Sequence, residues 1–231
     1  MDDIDTILFD KDGTLFHFQK TWAAWTHRFV ADTAGGDAGL ASALAARMGF
    51  DLVESRFHPL SPVVAGTPCE LVGLIGDLLP GHDPRALEAR MLDAAHDVPQ
   101  VPAVPLAPLL GRLAGASLKL AVVTNDGVAV AEAHLSAAGV RAHFGAVLGY
   151  DSGHGGKPGP GMLLAALDIL GSRPASALMV GDSLADLEAA RAAGCRSLGV
   201  LTGTADRNLL APMATRVAPD IGVLPSLLGL T

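Results

Sequence analysis

Several runs in this chain are apolar almost throughout yet too short to be helices. Thr6-Ile7-Leu8-Phe9, Leu118-Lys119-Leu120-Ala121-Val122-Val123, Ala177-Leu178-Met179-Val180 and Ser197-Leu198-Gly199-Val200-Leu201 are the four clearest. A strand with one wet face alternates apolar with polar residues; these do not, so both of their faces need cover. The last three alternate with helix-like stretches at 127–138, 160–170 and 184–193, and Ala146-Val147-Leu148-Gly149-Tyr150 is a weaker strand candidate. Buried strands separated by amphipathic helices predict an α/β fold, a parallel sheet with helices on both faces.

Residues 17–98 read differently. Helical segments are expected at about 18–33, 37–49, 68–79 and 84–96, with no convincing strand among them. Gly35-Gly36-Asp37-Ala38-Gly39 separates the first two. Thr67-Pro68-Cys69-Glu70 has the form of a capping box with proline at the first helical position, and Asp83-Pro84 offers a similar start. The proline-spaced segment Val98-Pro99-Gln100-Val101-Pro102-Ala103-Val104-Pro105 suits an extended, semi-rigid linker. The expected organisation is therefore a sheet domain formed by 1–16 and 99–231, interrupted by an all-helical insert at 17–98.

Composition narrows the function. Half of the 231 residues are apolar and 17% are charged, enough to build a sizeable core and contrary to disorder. Against 24 acidic residues stand 16 basic ones, and the lysines are only Lys11, Lys20, Lys119 and Lys157. With a net charge of -8 and no basic cluster, neither nucleic acid nor an anionic membrane is an expected partner. Cys69 and Cys195 lie far apart, which fits a reducing compartment better than a disulfide scaffold. The start Met1-Asp2-Asp3-Ile4-Asp5 is acidic where a secretory signal would be basic, and no long apolar run suggests a membrane span. A soluble cytoplasmic protein is the expectation.

The polar residues of interest all follow the apolar runs. Asp10 and Asp12 come after the first, Thr124-Asn125-Asp126 after the second, and Asp182 at the end of the run near 177; Lys157 lies in the loop after the weak strand. Ligands of open parallel sheets bind at the carboxyl ends of the strands, so these distant residues converge on one edge. Two aspartates delivered to one spot repel, and stability alone gives no reason for them; a positive group is expected there. Each residue also has a plainer reading. Asp10 and Asp12 suit an Asx-type turn, Asn125 or Asp126 a helix N-cap, and Asp186 the capping box Ser183-Leu184-Ala185-Asp186. Lys11, by strand alternation, should point to the opposite side of the backbone from the aspartates and be structural or peripheral. His154, beside glycines and without a second ligand at metal spacing, reads as a solvated loop residue. Trp22 and Trp25 pack the helical insert or line its inner face.

FDKDGTL, VVTND, GKPGP and GDSLADLEAA, in this order and spacing, resemble the four motifs of the haloacid dehalogenase-like (HAD) hydrolase superfamily. The helical insert is similar to the cap of its phosphoglycolate phosphatase-like branch. The resemblance implies a Rossmann-like core and a Mg²⁺-dependent phosphatase. By it, Asp10 is the nucleophile that becomes an aspartyl-phosphate, and Asp12 the general acid and base. Mg²⁺ falls to Asp10, Asp182 and the backbone carbonyl of Asp12. Thr124, Asn125, Gly13 and Lys157 would meet the phosphoryl oxygens, Lys157 supplying positive charge. Asp186 would orient the metal's water or Lys157, and Thr14 the loop.

The same motifs serve phosphosugar mutases of the β-phosphoglucomutase type, which remain open as an alternative. So does a silent protein that binds phosphate esters, although no motif residue is missing. Asp12 argues against dehalogenases, membrane ATPases and phosphonoacetaldehyde hydrolases. Substrate choice would lie on the insert and its hinges, where His17, Lys20, Arg56 and Gly66 are candidates. The expected partner is a small phosphorylated metabolite, with the protein a monomer or homodimer.

Overall fold

The computed structural model describes residues 3–230; Met1, Asp2 and Thr231, which fall within the expected sheet domain, lie outside the described residues. Six strands form one parallel sheet in the order β5-β4-β1-β6-β7-β8. They are β1 (Thr6–Phe9), β4 (Lys119–Val123), β5 (Ala146–Leu148), β6 (Ala177–Gly181), β7 (Arg196–Val200) and β8 (Arg216–Ala218). β1 is central, with Phe9 level with Val122 on one side and Val180 on the other.

Alternate residues of each strand feed opposite cores. Ile7, Phe9, Val122 and Val180 pack beneath α6 (Leu106–Gly115), whereas Leu8, Ala121, Val123 and Met179 meet α8 (Gly161–Leu170) and α9 (Leu184–Ala193). This two-sided burial explains why the strands carry no polar alternation. α7 (Val128–Ala137) follows β4 as expected.

The inserted block contains α1 (Phe18–Ala34), α2 (Ala38–Arg47), α3 (Pro62–Ala65), α4 (Pro68–Ile75) and α5 (Pro84–His96). Its residues gather around Phe18, Trp22, Trp25, Phe29, Met48 and Ile75 in a cluster that also takes in Val130 of α7. The Thr67–Glu70 capping box forms in both directions, and Asp83 caps α5 by accepting from Arg85 N–H. The expectation of a strand-free insert needs correction. β2 (Phe50–Asp51) and β3 (Arg56–Phe57) pair antiparallel, a hairpin of two-residue strands too short to register as a period. The two chain crossings run side by side: His17 N–H donates to Val101 O at 2.8 Å and Ala103 N–H to Leu15 O at 2.9 Å. None of the described helices is long and apolar enough to cross a membrane.

Candidate active site

β1 ends at Phe9, and Asp10 N–H donates to Val180 O at 2.9 Å, so the Asp10 carboxylate emerges between the ends of β1 and β6. The chain then turns at Gly13, whose φ of 91° is the left-handed region that favours glycine. A Cβ at Gly13 would collide with the Asp182 carboxylate, as would one at Gly203 after β7. Two glycines thus form walls against Asp182. Thr202 ties the walls together, its hydroxyl donating to Gly13 O at 2.5 Å.

Three buried carboxylates meet at this edge. Ligand oxygens of Asp10, Asp182 and Asp186 all lie within 4.8 Å of one another. Lys157 is the cation among them: its Nζ reaches Asp10 Oδ1 and Asp186 Oδ1, each at 2.6 Å, and Val123 O at 2.9 Å. All three ammonium hydrogens are thereby occupied. Asp186 does two jobs, since its Oδ2 completes the capping box by accepting from Ser183 N–H at 3.0 Å and also accepts from the Ser183 hydroxyl at 2.6 Å.

Charge counting shows what the cluster lacks. Three carboxylates and one ammonium leave -2 when all are ionised. Burial, with Asp186 adding to it and Lys157 opposing, pushes the Asp10 carboxyl up to about 7. Asp182 is raised well above the ordinary carboxylate range, first by burial and then by Asp10. Asp182 Oδ2 is buried with no hydrogen-bond partner. An all-oxygen set with a surplus of two negative charges and an orphaned oxygen fits a hard divalent cation.

Asp12 belongs to a second buried cluster. Its Oδ2 lies 2.5 Å from Lys11 Nζ, and its Oδ1 accepts from the Trp22 indole N–H at 2.8 Å. Lys11 is fully buried, also facing Asp126 Oδ2 at 3.2 Å and His134 Nδ1 at 3.0 Å. Lys11 therefore does not point away from Asp12, and of its two readings the peripheral one fails while the structural one stands. Strand alternation stops at Phe9, and the turn folds Lys11 inward. His134 Nε2 lies 2.9 Å from Ala95 O, an acceptor, so the ring donates there and accepts from Lys11 through Nδ1. Burial and then the Lys11 charge pull His134 down to about 4. The helix N-cap reading of Asn125 and Asp126 also gives way. Gly127 is the N-cap of α7, and Asp126 is drawn to Lys11 instead.

A cavity above these groups is lined by Asp10, Asp12, Thr124, Asn125, Lys157 and Asp186 at its base. The Asn125 amide is engaged within the protein, donating to Ala65 O at 2.6 Å and to Lys157 O at 2.8 Å. The Thr124 hydroxyl accepts from Asp126 N–H at 3.1 Å. Thr14 is buried behind the turn, its hydroxyl unpartnered. Of the expected specificity residues, Gly66 lies in the cavity wall, whereas His17, Lys20 and Arg56 do not. Lys20 and Arg56 are exposed, the latter on the short β2–β3 hairpin. His154 is exposed in its loop. Trp22 and Trp25 both pack the insert and line the cavity. Sequence reasoning did not find His134, which stands on α7 at an ordinary core spacing with no motif around it.

The sheet defines a doubly wound α/β protein whose carboxyl edge carries an acidic cluster that could hold a metal ion. Residues 4–194 match the haloacid dehalogenase-like hydrolase family, and the chain belongs to it. Over 119 residues it is 41% identical to a phosphoglycolate phosphatase of Neisseria meningitidis, a match covering 51% of this chain and 51% of that one. The chain spans about half the length of the curated relatives it matches. Among solved structures, a predicted phosphoglycolate phosphatase from Haemophilus somnus superposes with a TM-score of 0.76 at 20% identity, covering 98% of this chain and 99% of that one. CbbY from Rhodobacter sphaeroides, solved with phosphate, gives 0.68 at 22% identity and covers 94% of both chains. These two share the fold.

Proposed function

We propose that the chain is a Mg²⁺-dependent phosphatase that hydrolyses a small phosphate monoester through an aspartyl-phosphate. The carrying observation is the buried set of Asp10, Asp182 and Asp186 around Lys157 at the base of an open cavity. Asp10, Asp182 and the backbone carbonyl of Asp12 would hold the cation. When bound, it neutralises surplus carboxylate charge and polarises the phosphoryl group. Lys157 orients Asp10 and supplies fixed positive charge beside the transferring group.

In the first step an Asp10 oxygen forms a bond to phosphorus while the phosphorus–alkoxide bond breaks, and Asp12 gives its proton to the departing oxygen. In the second, Asp12 takes a proton from water, whose oxygen bonds phosphorus as the Asp10–phosphorus bond breaks, releasing inorganic phosphate. Residues 17–98 serve as a cap over a core formed by 1–16 and 99–231. The relatives' name makes phosphoglycolate the first ester to try.

The test is phosphate release from a monoester panel with Mg²⁺, with EDTA as control. Asp10→Asn is expected to lose at least a thousandfold in kcat, because no other carboxylate occupies its place. Full activity in that variant would remove the nucleophile assignment.

A further inference from the structure

The part of the cavity that would receive the alcohol is apolar. Its walls on the inserted side are Phe18, Trp22, Trp25, Val64, Leu71 and Met91. Trp22 and Trp25 present an edge-to-face pair with ring centroids 5.4 Å apart. Every charged residue in the lining, namely Asp10, Asp12, Asp126, Lys157 and Asp186, stands at the catalytic end. The insert's own cations, Lys20, Arg28, Arg47, Arg56, Arg85 and Arg90, are all exposed, and none lines the cavity. Arg47 is committed elsewhere, donating to Leu74 O at 2.8 Å and pairing with Asp77.

We infer that the substrate's alcohol is uncharged and largely apolar, with an aromatic ring the best fit; this rests on the phosphatase reading above. A carboxylate or second phosphate on the alcohol would enter an apolar wall with no cation to receive it, losing water without compensation. Apolar carbon, by contrast, gains from leaving water for that wall, and aromatic edges suit an aromatic ring. The relatives' named substrate, glycolate phosphate, carries the carboxylate that this wall disfavours.

The experiment compares kcat/KM for 2-phenylethyl phosphate, butyl phosphate, phosphoglycolate and butane-1,4-diol bisphosphate, with Mg²⁺ present. All four leaving groups are primary alkoxides, so intrinsic reactivity does not dominate the order. The expected result is 2-phenylethyl phosphate at least tenfold above phosphoglycolate and above the bisphosphate. Phosphoglycolate or the bisphosphate equal to it or ahead would overturn the inference and leave the phosphatase reading standing. Activity on p-nitrophenyl phosphate alone would do the same. No release from any ester, p-nitrophenyl phosphate included, would overturn both. Val64→Lys, at a half-buried wall position, should lower the phenylethyl-to-glycolate ratio at least tenfold. An unchanged ratio would show that the alcohol lies elsewhere and overturn the inference.

Discussion

Replacing Lys11 with methionine keeps the length of the side chain and removes its charge. Lys11 is 0% exposed, and its ammonium faces Asp12 Oδ2 at 2.5 Å, Asp126 Oδ2 at 3.2 Å and His134 Nδ1 at 3.0 Å. Without it, two carboxylates that the lysine held at a net -1 stand at -2 in a nearly dry site. Removing one partner of a buried pair costs about 3–5 kcal/mol, mostly as uncompensated charge. Asp126, already raised by burial, can take a proton and soften the loss, which places the expectation near the low end, about 3 kcal/mol. For a chain of this size that is a fall of about 6–12 °C in Tm. Urea unfolding at pH 7 followed by circular dichroism measures the first figure, and a thermal scan the second. Lys11→Met combined with Asp126→Asn should recover part of the loss, because one unpaired charge goes with it. A loss below about 1 kcal/mol in the single variant would refute the reasoning, since that is the worth of a solvated surface pair.

His134 gives stability a pH dependence of known sign. Folded, it protonates at about 4; unfolded, near its ordinary 6.5, so between these values the unfolded chain binds the extra proton. Its contribution is therefore complete above pH 6.5 and falls by about 3 kcal/mol as pH drops to 4. The raised carboxyls of Asp10 and Asp182 act in the opposite direction, so the readout is the difference in unfolding free energy between wild type and His134→Gln across that window. A constant difference would contradict the assignment. Gly13→Ala forces a Cβ into the Asp182 carboxylate at a left-handed φ, and should weaken Mg²⁺ binding, measured by calorimetry, at least tenfold while the fold persists by circular dichroism. Unchanged affinity would mean that Asp182 does not hold the cation.

The sheet was legible because continuous apolar runs have one physical use in a chain this apolar. β1, β4, β5, β6 and β7 stand within two residues of their expected positions, as do α7, α8 and α9. α6 was not legible although Leu106, Leu109, Leu110 and Leu113 follow helical spacing, because the prolines before it read as linker and Pro108 and Gly111 punctuate it. β8 has only three residues, and β2 and β3 two each, too few for any pattern. At the site, the strand-end aspartates and Lys157 could be placed on one edge from topology alone. The Lys11–Asp126–His134 cluster could not, because it depends on how a turn redirects one side chain after a strand ends.

That second cluster ties the two parts of the chain to one chemical group. Asp12 receives Lys11 from its own turn and Trp22 from α1, so its carboxylate is aimed by the core and by the insert together. The same pairing recurs nearby: His134 of α7 meets Ala95 O of α5, and Asn125 after β4 meets Ala65 O of α3. In the proposed mechanism Asp12 is the proton donor, and its aim then depends on contacts from both parts of the chain. Asp10, the proposed nucleophile, is fixed by Lys157, which Asp186 holds in turn, and all three lie outside the insert. In the proposed mechanism attack would be organised by groups at the sheet edge, and protonation of the leaving alcohol by groups from both parts of the chain.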